Sequence, residues 1–566
     1  MLGVLRFCLA LALISASCLA QSANESASAP ITSAQQTASS ARGVDVAATS
    51  VPDNKAVAVT ATNPLGEAKS LYRKRDFNGA LAKYQEVLRE QPKSPDAYAG
   101  LVRVYLKQKN LEEAARTAEQ GLAQSDSPRI RVAHGEVLFR QGKITDAEKE
   151  WVDVIKAGSA EPRAYLGLAR VRDAIAMYKT AKKMIDKAHE LDPTDPDINE
   201  EWIGTLPRAE RIKFLQDSLG GDNNWDADER ESLKSYLEYV KERAKQKSGP
   251  CHLVNKLSAV EMPLVRLKLD PEHLRGYGLT VELNGHKSDL MLDTGSTGIL
   301  VKRSIAEHAG ISKITETKIG GIGDKGRRRG FFGVADSIKI GGLEFQNCNV
   351  EVLEGHSVVG EDGLIGADVF EQFLVDIDFP HEKLKLSELP NRPGEHEQKL
   401  APNDDQDAEN DLGAPSSGPQ DRYVAPEMQS YTRVFRFGHD LLVPTSIGKV
   451  PPKLFLLDTG SFQNSISNAA ARQVTHVDDS ETVITGISGA VKDVYSAHKT
   501  VLEFGHLRQE NQEMAAFDTT GMSDGAGTEI AGTLGFVMLR FLDIKIDYRD
   551  ALVDFSFDPK FWHMTQ

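Results

Sequence analysis

The hydrophobic pattern changes period along this chain. Over residues 62–195 apolar positions recur three to four apart, the spacing that lines one face of a helix, and the pattern itself repeats. Ala80, Ala114, Ala147 and Ala181 stand 34, 33 and 34 residues apart. Each opens a helical stretch, with Tyr84 and Val87 after the first, Trp151 and Val154 after the third, and Met184 and Ala188 after the fourth. The stretches between carry Tyr98, Leu101 and Tyr105, or Tyr165 and Leu168. Pro92 and Pro193 fall where a helix pair should stop, because proline cannot continue a helix. More helix is predicted over 196–247, its last segment capped by Asp226 and holding Leu233, Tyr236, Leu237 and Val240, with a boundary at Gly249-Pro250.

Beyond residue 250 the period falls to two. Val265-Arg-Leu-Lys-Leu and Leu279-Thr-Val-Glu-Leu alternate as half-buried strands do, and Asn284-Gly285 is a hairpin turn. The all-β reading is broken at 391–427 by a run of Pro, Asp, Asn and Gly that cannot support a core and reads as a flexible linker.

The same parts then recur in the same order on the two sides of that linker. Leu290-Met-Leu-Asp293-Thr294-Gly295-Ser296 answers to Leu456-Leu-Asp458-Thr459-Gly460-Ser461. Downstream, Leu364-Ile365-Gly366 answers to Thr533-Leu534-Gly535, and Ile377-Asp378-Phe379 to Ile546-Asp547-Tyr548. A last strand closes each half, around Leu384 and Leu552. Internal similarity therefore gives two β lobes built alike, each with an acid where an apolar strand runs into a glycine turn.

The helical period resembles the tetratricopeptide repeat, over about four repeats. The paired D-T-G-S turns with their apolar-apolar-Gly segments resemble the aspartic peptidases, in particular the retropepsin-like type of bacterial exported proteins. The resemblance spans about 260–390 and 428–560. It implies peptide hydrolysis by water activated between Asp293 and Asp458, with no metal and no cofactor. It also implies that Thr294 and Thr459 bond across the lobe interface, and that a hairpin flap covers the substrate. Two glycine-rich turns are flap candidates: one with Gly321 and Gly323, the other with Gly486 and Gly489. No tyrosine stands in an obvious flap position, Phe331, Phe332 and Tyr495 being the nearest aromatics. Chemically, Gly295 and Gly460 relieve crowding beneath the acids, and the Ser296 and Ser461 hydroxyls can donate to the outer carboxylate oxygens, which favours the charged form.

Composition narrows the partners. The 566-residue chain carries a net charge of −15, the wrong sign for a general nucleic-acid binder. At the N-terminus, Arg6, the short apolar run Phe7–Ile14 and Cys18-Leu19-Ala20 read as an export signal with Gln21 as the mature start. A retained anchor, or a lipid anchor at Cys18, are the other readings. A periplasmic or secreted protein without a membrane span in its mature chain is expected. Cys251 and Cys348 are the cysteines clear of the signal, and their pairing is left open. Gly321-Ile-Gly323-Asp-Lys-Gly326 matches a dinucleotide fingerprint but lacks the helix that motif needs, so it reads as a hairpin tip.

The expected organisation is a signal (1–20), a disordered tether (21–60), helical repeats forming an α-solenoid (61–216), a helical connector (217–250), lobe 1 (251–390), the linker (391–427) and lobe 2 (428–566). The repeats are expected to recruit a polypeptide substrate or a protein partner. The competing function is a catalytically inactive peptide-binding scaffold that acts through its repeats.

Overall fold

A computed structural model describes residues 63–220, 227–245, 251–255, 257–355, 358, 360–393, 420–557 and 559. The signal, the tether, the Asp226 cap and most of the linker lie outside these residues.

Helices form where the period predicts them. The helices α1 (Pro64–Arg73), α2 (Phe77–Glu90), α3 (Pro95–Lys107), α4 (Leu111–Gln124), α5 (Pro128–Arg140), α6 (Ile144–Lys156), α7 (Pro162–Ala174) and α8 (Tyr178–Leu191) make four antiparallel pairs, and α9 (Pro196–Ile203) adds a further inner helix. Ala80, Ala114 and Ala147 are fully buried, and Ala181 nearly so, which lets each outer helix lie close to its neighbours. Every inner helix begins with proline, whose fixed φ suits the first helical position and whose missing N–H costs nothing there. Trp151 fills the space between repeats and donates its Nε1–H to the Val132 carbonyl at 3.1 Å. Two more helices follow, α10 (Arg208–Gly220) and α11 (Ala227–Lys245).

The β region contains two closed rings of six strands with one topology. In lobe 1 the ring runs Leu274–Leu283, His286–Asp293, Gly363–Gly366, Ile299–Lys302, Leu343–Leu353 and Arg328–Ile340, and returns to the first strand. In lobe 2 it runs Asp440–Ile447, Val450–Leu457, Gly532–Leu534, Ser465–Ser467, Leu507–Phe517 and Tyr495–Phe504. The second and third strands are parallel in both rings, as are the fourth and fifth.

A third sheet joins the lobes. Its central pair is Phe373–Asp378 from lobe 1 against Leu542–Asp547 from lobe 2, with Val375 opposite Ile546 and Ile377 opposite Ile544. These are the duplicated Ile-Asp-aromatic segments, so the repeated strand is the one that binds the halves to each other. Burial of four β-branched side chains stabilises that seam by about 2 kcal/mol per side chain. Tyr277 and Phe536 pack at 5.7 Å and bridge the lobes beside the seam.

Cys251 and Cys348 form a disulfide across 97 residues of chain. The described ends of the 391–427 stretch are held down: Arg392 and the Tyr423 amide both bond to the buried Asp550 carboxylate, at 2.6 and 2.9 Å.

The repeats are docked on the β lobes. Phe139 and Phe437 pack edge to face at 6.1 Å, the Thr528 hydroxyl donates to the Phe139 carbonyl at 2.6 Å, and Arg140 and Lys109 both pair with the buried Asp524. On the other side α11 lies against lobe 1, with Tyr239 on Phe332 at 5.1 Å and Arg243 donating to the Asn347 carbonyl at 2.9 Å.

Candidate active site

The strand His286–Asp293 is apolar because it is buried in the ring, and it ends at Asp293, where the parallel strand Gly363–Gly366 also ends, with Gly366 beside Asp293. Lobe 2 repeats this: Val450–Leu457 lies parallel to Gly532–Leu534 and delivers Asp458. Both acids therefore emerge at the lobe junction. Asp293 and Asp458 are both more than nine-tenths buried, and each lies against the turn of the opposite lobe, where the two influence each other's ionisation.

The glycines of the two turns have a reason that the sequence reading placed elsewhere. Neither has a positive φ. A Cβ on Gly460 would lie 2.4 Å from the Asp293 carboxyl carbon, and one on Gly295 2.8 Å from that of Asp458. Each glycine makes room for the acid of the opposite lobe.

The threonines lock the turns reciprocally. Thr294 Oγ1 donates to the Leu457 carbonyl at 2.7 Å and accepts from the Thr459 amide at 3.0 Å. Thr459 Oγ1 donates to the Leu292 carbonyl at 2.8 Å and accepts from the Thr294 amide at 3.0 Å. The serines differ from expectation. Main-chain amides reach the carboxylates: Gly295 N–H donates to Asp293 Oδ1 at 2.9 Å and Ser461 N–H to Asp458 Oδ1 at 2.8 Å. The Ser461 hydroxyl turns away to the Gln463 carbonyl at 3.2 Å. Among the described residues neither serine hydroxyl bonds to an acid, because the tight turn already aims its amides there.

Burial pushes Asp293 well above the usual carboxylate range; the negative charge of Asp458 adds to this, while the Gly295 amide and Arg275 oppose it. Burial also raises Asp458, helped by Asp440 and opposed by the amides of Ser461 and Gly460. Two like charges in a dry site cannot both be carried, so such a pair holds one proton between them.

Arg275 and Asp440 were not singled out by sequence reasoning. Each lies near the start of the first strand of its ring, but not in the same register: Arg275 stands three residues before the partner of Met291, and Asp440 two before the partner of Leu456. Arg275 donates to the Gly460 carbonyl across the junction at 3.1 Å. A charged residue at the start of a strand carries no meaning in the sequence until the strand is placed.

Both glycine-rich turns cover the acids. The Gly321 and Gly323 turn closes the hairpin between Lys313–Ile319 and Arg328–Ile340, and the Gly486 and Gly489 turn forms a two-residue ladder of its own. The tips bond to each other: Ser488 N–H to Ile322 O at 3.0 Å, Lys325 N–H to Ser488 O at 2.8 Å, and Lys492 N–H to Asp324 Oδ2 at 2.7 Å. The dinucleotide-like glycines are thus a hairpin tip. Phe331, Phe332 and Tyr495 lie in strands away from it.

Acids and flap tips line one cavity of about 1300 Å³, which continues along the inner helices of the repeats. Among the described residues no helix is long and apolar enough to cross a membrane.

Comparison with known proteins bears on both parts. Residues 279–369 match the aspartyl protease family model; residues 71–136 and 132–181 match tetratricopeptide repeat models. The chain is 28% identical over 116 residues to UBA domain-containing protein Mud1 of Schizosaccharomyces pombe, which is 20% of this chain and 34% of that protein. It is 32% identical over 108 residues to DNA damage-inducible protein 1 of Chaetomium globosum, 19% of this chain and 23% of that one. The match thus spans about a third or less of these relatives' length. Among solved structures, an aspartic proteinase from Irpex lacteus aligns with 53% of this chain and 98% of its own at 12% identity and a TM-score of 0.32. A TPR protein of Thermus thermophilus aligns with 31% and 97% at 19% identity and a TM-score of 0.24. Tetratricopeptide repeats followed by an aspartic-protease-like bilobal β region is the architecture of this chain.

Proposed function

We propose that the protein is an exported aspartic endopeptidase. The observation that carries this reading is the buried pair Asp293 and Asp458, brought together at the lobe junction on turns locked by reciprocal threonine bonds. In the singly protonated pair the ionised carboxyl takes a proton from a water, whose oxygen attacks the scissile carbonyl carbon. The protonated carboxyl donates to the carbonyl oxygen, giving a gem-diol. Collapse of the gem-diol breaks the C–N bond as the amine leaves with a proton. The roles belong to the pair and not to one residue. Export rests on the N-terminal pattern and agrees with the Cys251–Cys348 disulfide, since such bonds persist in oxidising compartments.

The test is cleavage of an unfolded protein by the purified chain from pH 3 to 8. Asp293→Asn and Asp458→Asn should each lose about 10³-fold in rate, within the range of general acid–base contributions. Activity that survives both substitutions sinks the reading. Inactivity of the wild type at every pH moves the function to peptide binding.

A further inference from the structure

We infer that the concave face of the helical repeats is the outer part of the substrate site, gripping the same polypeptide that is cut at the acids. This rests on the peptidase reading. The cavity that holds Asp293 and Asp458 is also lined by all five inner helices: Tyr72 from α1, Arg103 from α3, Glu136 from α5, Arg170 from α7 and Glu200 from α9. At about 1300 Å³ it exceeds the roughly 300–1,000 Å³ typical of a small-molecule site.

The face is not free to serve something elsewhere. Phe139 on Phe437, Arg140 on Asp524 and Thr528 on the Phe139 carbonyl fix the α5–α6 corner to lobe 2, and Lys109 on Asp524 fixes the α3–α4 corner. A second anchor lies at α8, where Asp421 accepts from both the amide and the hydroxyl of Thr180 at 2.8 Å. A separate partner seated on the inner helices would stand in the space leading to the acids. The occupant that fits both ends at once is one extended chain.

The chemistry of the floor agrees. Its charges are paired between neighbouring repeats, Arg103 with Glu136 at 3.1 Å and Arg170 with Glu201 at 2.8 Å. Neither sign dominates, so the floor selects no single charge and suits polypeptide of mixed sequence. The inner helices thus extend the contact beyond the residues next to the cut bond, which lowers KM for long substrates and leaves short ones unaffected.

The test uses the full chain with Cys8 and Cys18 changed to serine, so that an added cysteine is the one free thiol beside the Cys251–Cys348 bond. Glu200→Cys, on the floor, is labelled after folding with a bulky maleimide. Lys182→Cys, exposed on the outer helix α8, is labelled as control. Each is assayed on an unfolded protein and on a six-residue peptide, which spans only about 20 Å when extended. The floor label should raise KM for the protein about 10-fold or more and change the peptide less than about 2-fold, while the control label changes neither. Equal slowing of both substrates would make the floor a mere passage, and no slowing would make it idle; either overturns the inference. So does faster cleavage of both, which would mean that the label expels the chain's own tether. If the unlabelled chain cleaves neither substrate, the peptidase reading itself falls and takes this inference with it.

Discussion

Thr294 and Thr459 each give a hydroxyl proton to the other lobe and receive an amide proton from it, so the two catalytic turns are one hydrogen-bonded unit. Thr459→Ala would leave the buried Thr294 amide and Leu292 carbonyl unpaired, at a cost of about 2–4 kcal/mol. The melting temperature should fall and activity should drop more than the fold content does. Thr459→Ser keeps the hydroxyl and should restore most of both. Calorimetry beside a peptide assay decides it; equal effects of Ala and Ser would refute the lock.

The flanking charges predict shifts of the pH–rate profile. Arg275 holds Asp293 down against burial, so Arg275→Met should raise the pair's hold on its protons and move the kcat/KM profile to higher pH. Asp440 holds Asp458 up, so Asp440→Asn should loosen the pair's protons and bring the profile to lower pH. Profiles of both variants between pH 3 and 9 check the signs, and unmoved limbs would discount both residues.

The sheet between the lobes carries its own proton. Burial, together with a hydrogen bond to Asp543, raises Asp376 to about 7. Because the folded value lies above the unfolded one, this contribution is complete below about pH 4 and is lost as pH rises through 7. Thermal stability should therefore fall between pH 5 and 8. Asp376→Asn, which cannot ionise, should flatten that slope. A slope identical to wild type would mean that the pair does not share a proton.

At the flap tips, Gly323 has φ +126°, and a Cβ there would lie 2.3 Å from the Gly489 carbonyl oxygen. Gly323→Ala should separate the tips and raise KM several-fold with little loss of global stability, since the contact involves only loop ends. Gly326→Ala, also at positive φ but with open space around it, should affect KM less. Similar KM values for the two variants would remove the flap contact from the account.

The sequence made the acids and their glycine segments legible because the chemistry needs them twice, and a duplicated motif survives without a structure. Repeat spacing was legible for a similar reason: Ala80 and its successors must be small at each helix crossing. The prolines that start the inner helices were equally visible but were not read as starts; only Pro92 and Pro193, between helix pairs, were singled out. The rest depends on the third dimension. Phe139 and Phe437, or Cys251 and Cys348, meet because the chain folds back over long stretches, and nothing local announces it. The serine hydroxyls were misjudged because the turn turns its amides, and not its side chains, toward the acids. That the two flap candidates bond to each other was hidden because the joining bonds are largely main-chain ones.

A cleft made from two copies of one sequence presents the same charge from both sides and cannot tell which way a chain lies in it. Here the lining carries Arg275 from lobe 1 and Asp440 from lobe 2, at positions that are not equivalent in the two rings. Reversing a peptide between them exchanges a favourable pairing of charges for a repulsive one. Carrying both lobes on one chain has therefore given this cleft a direction.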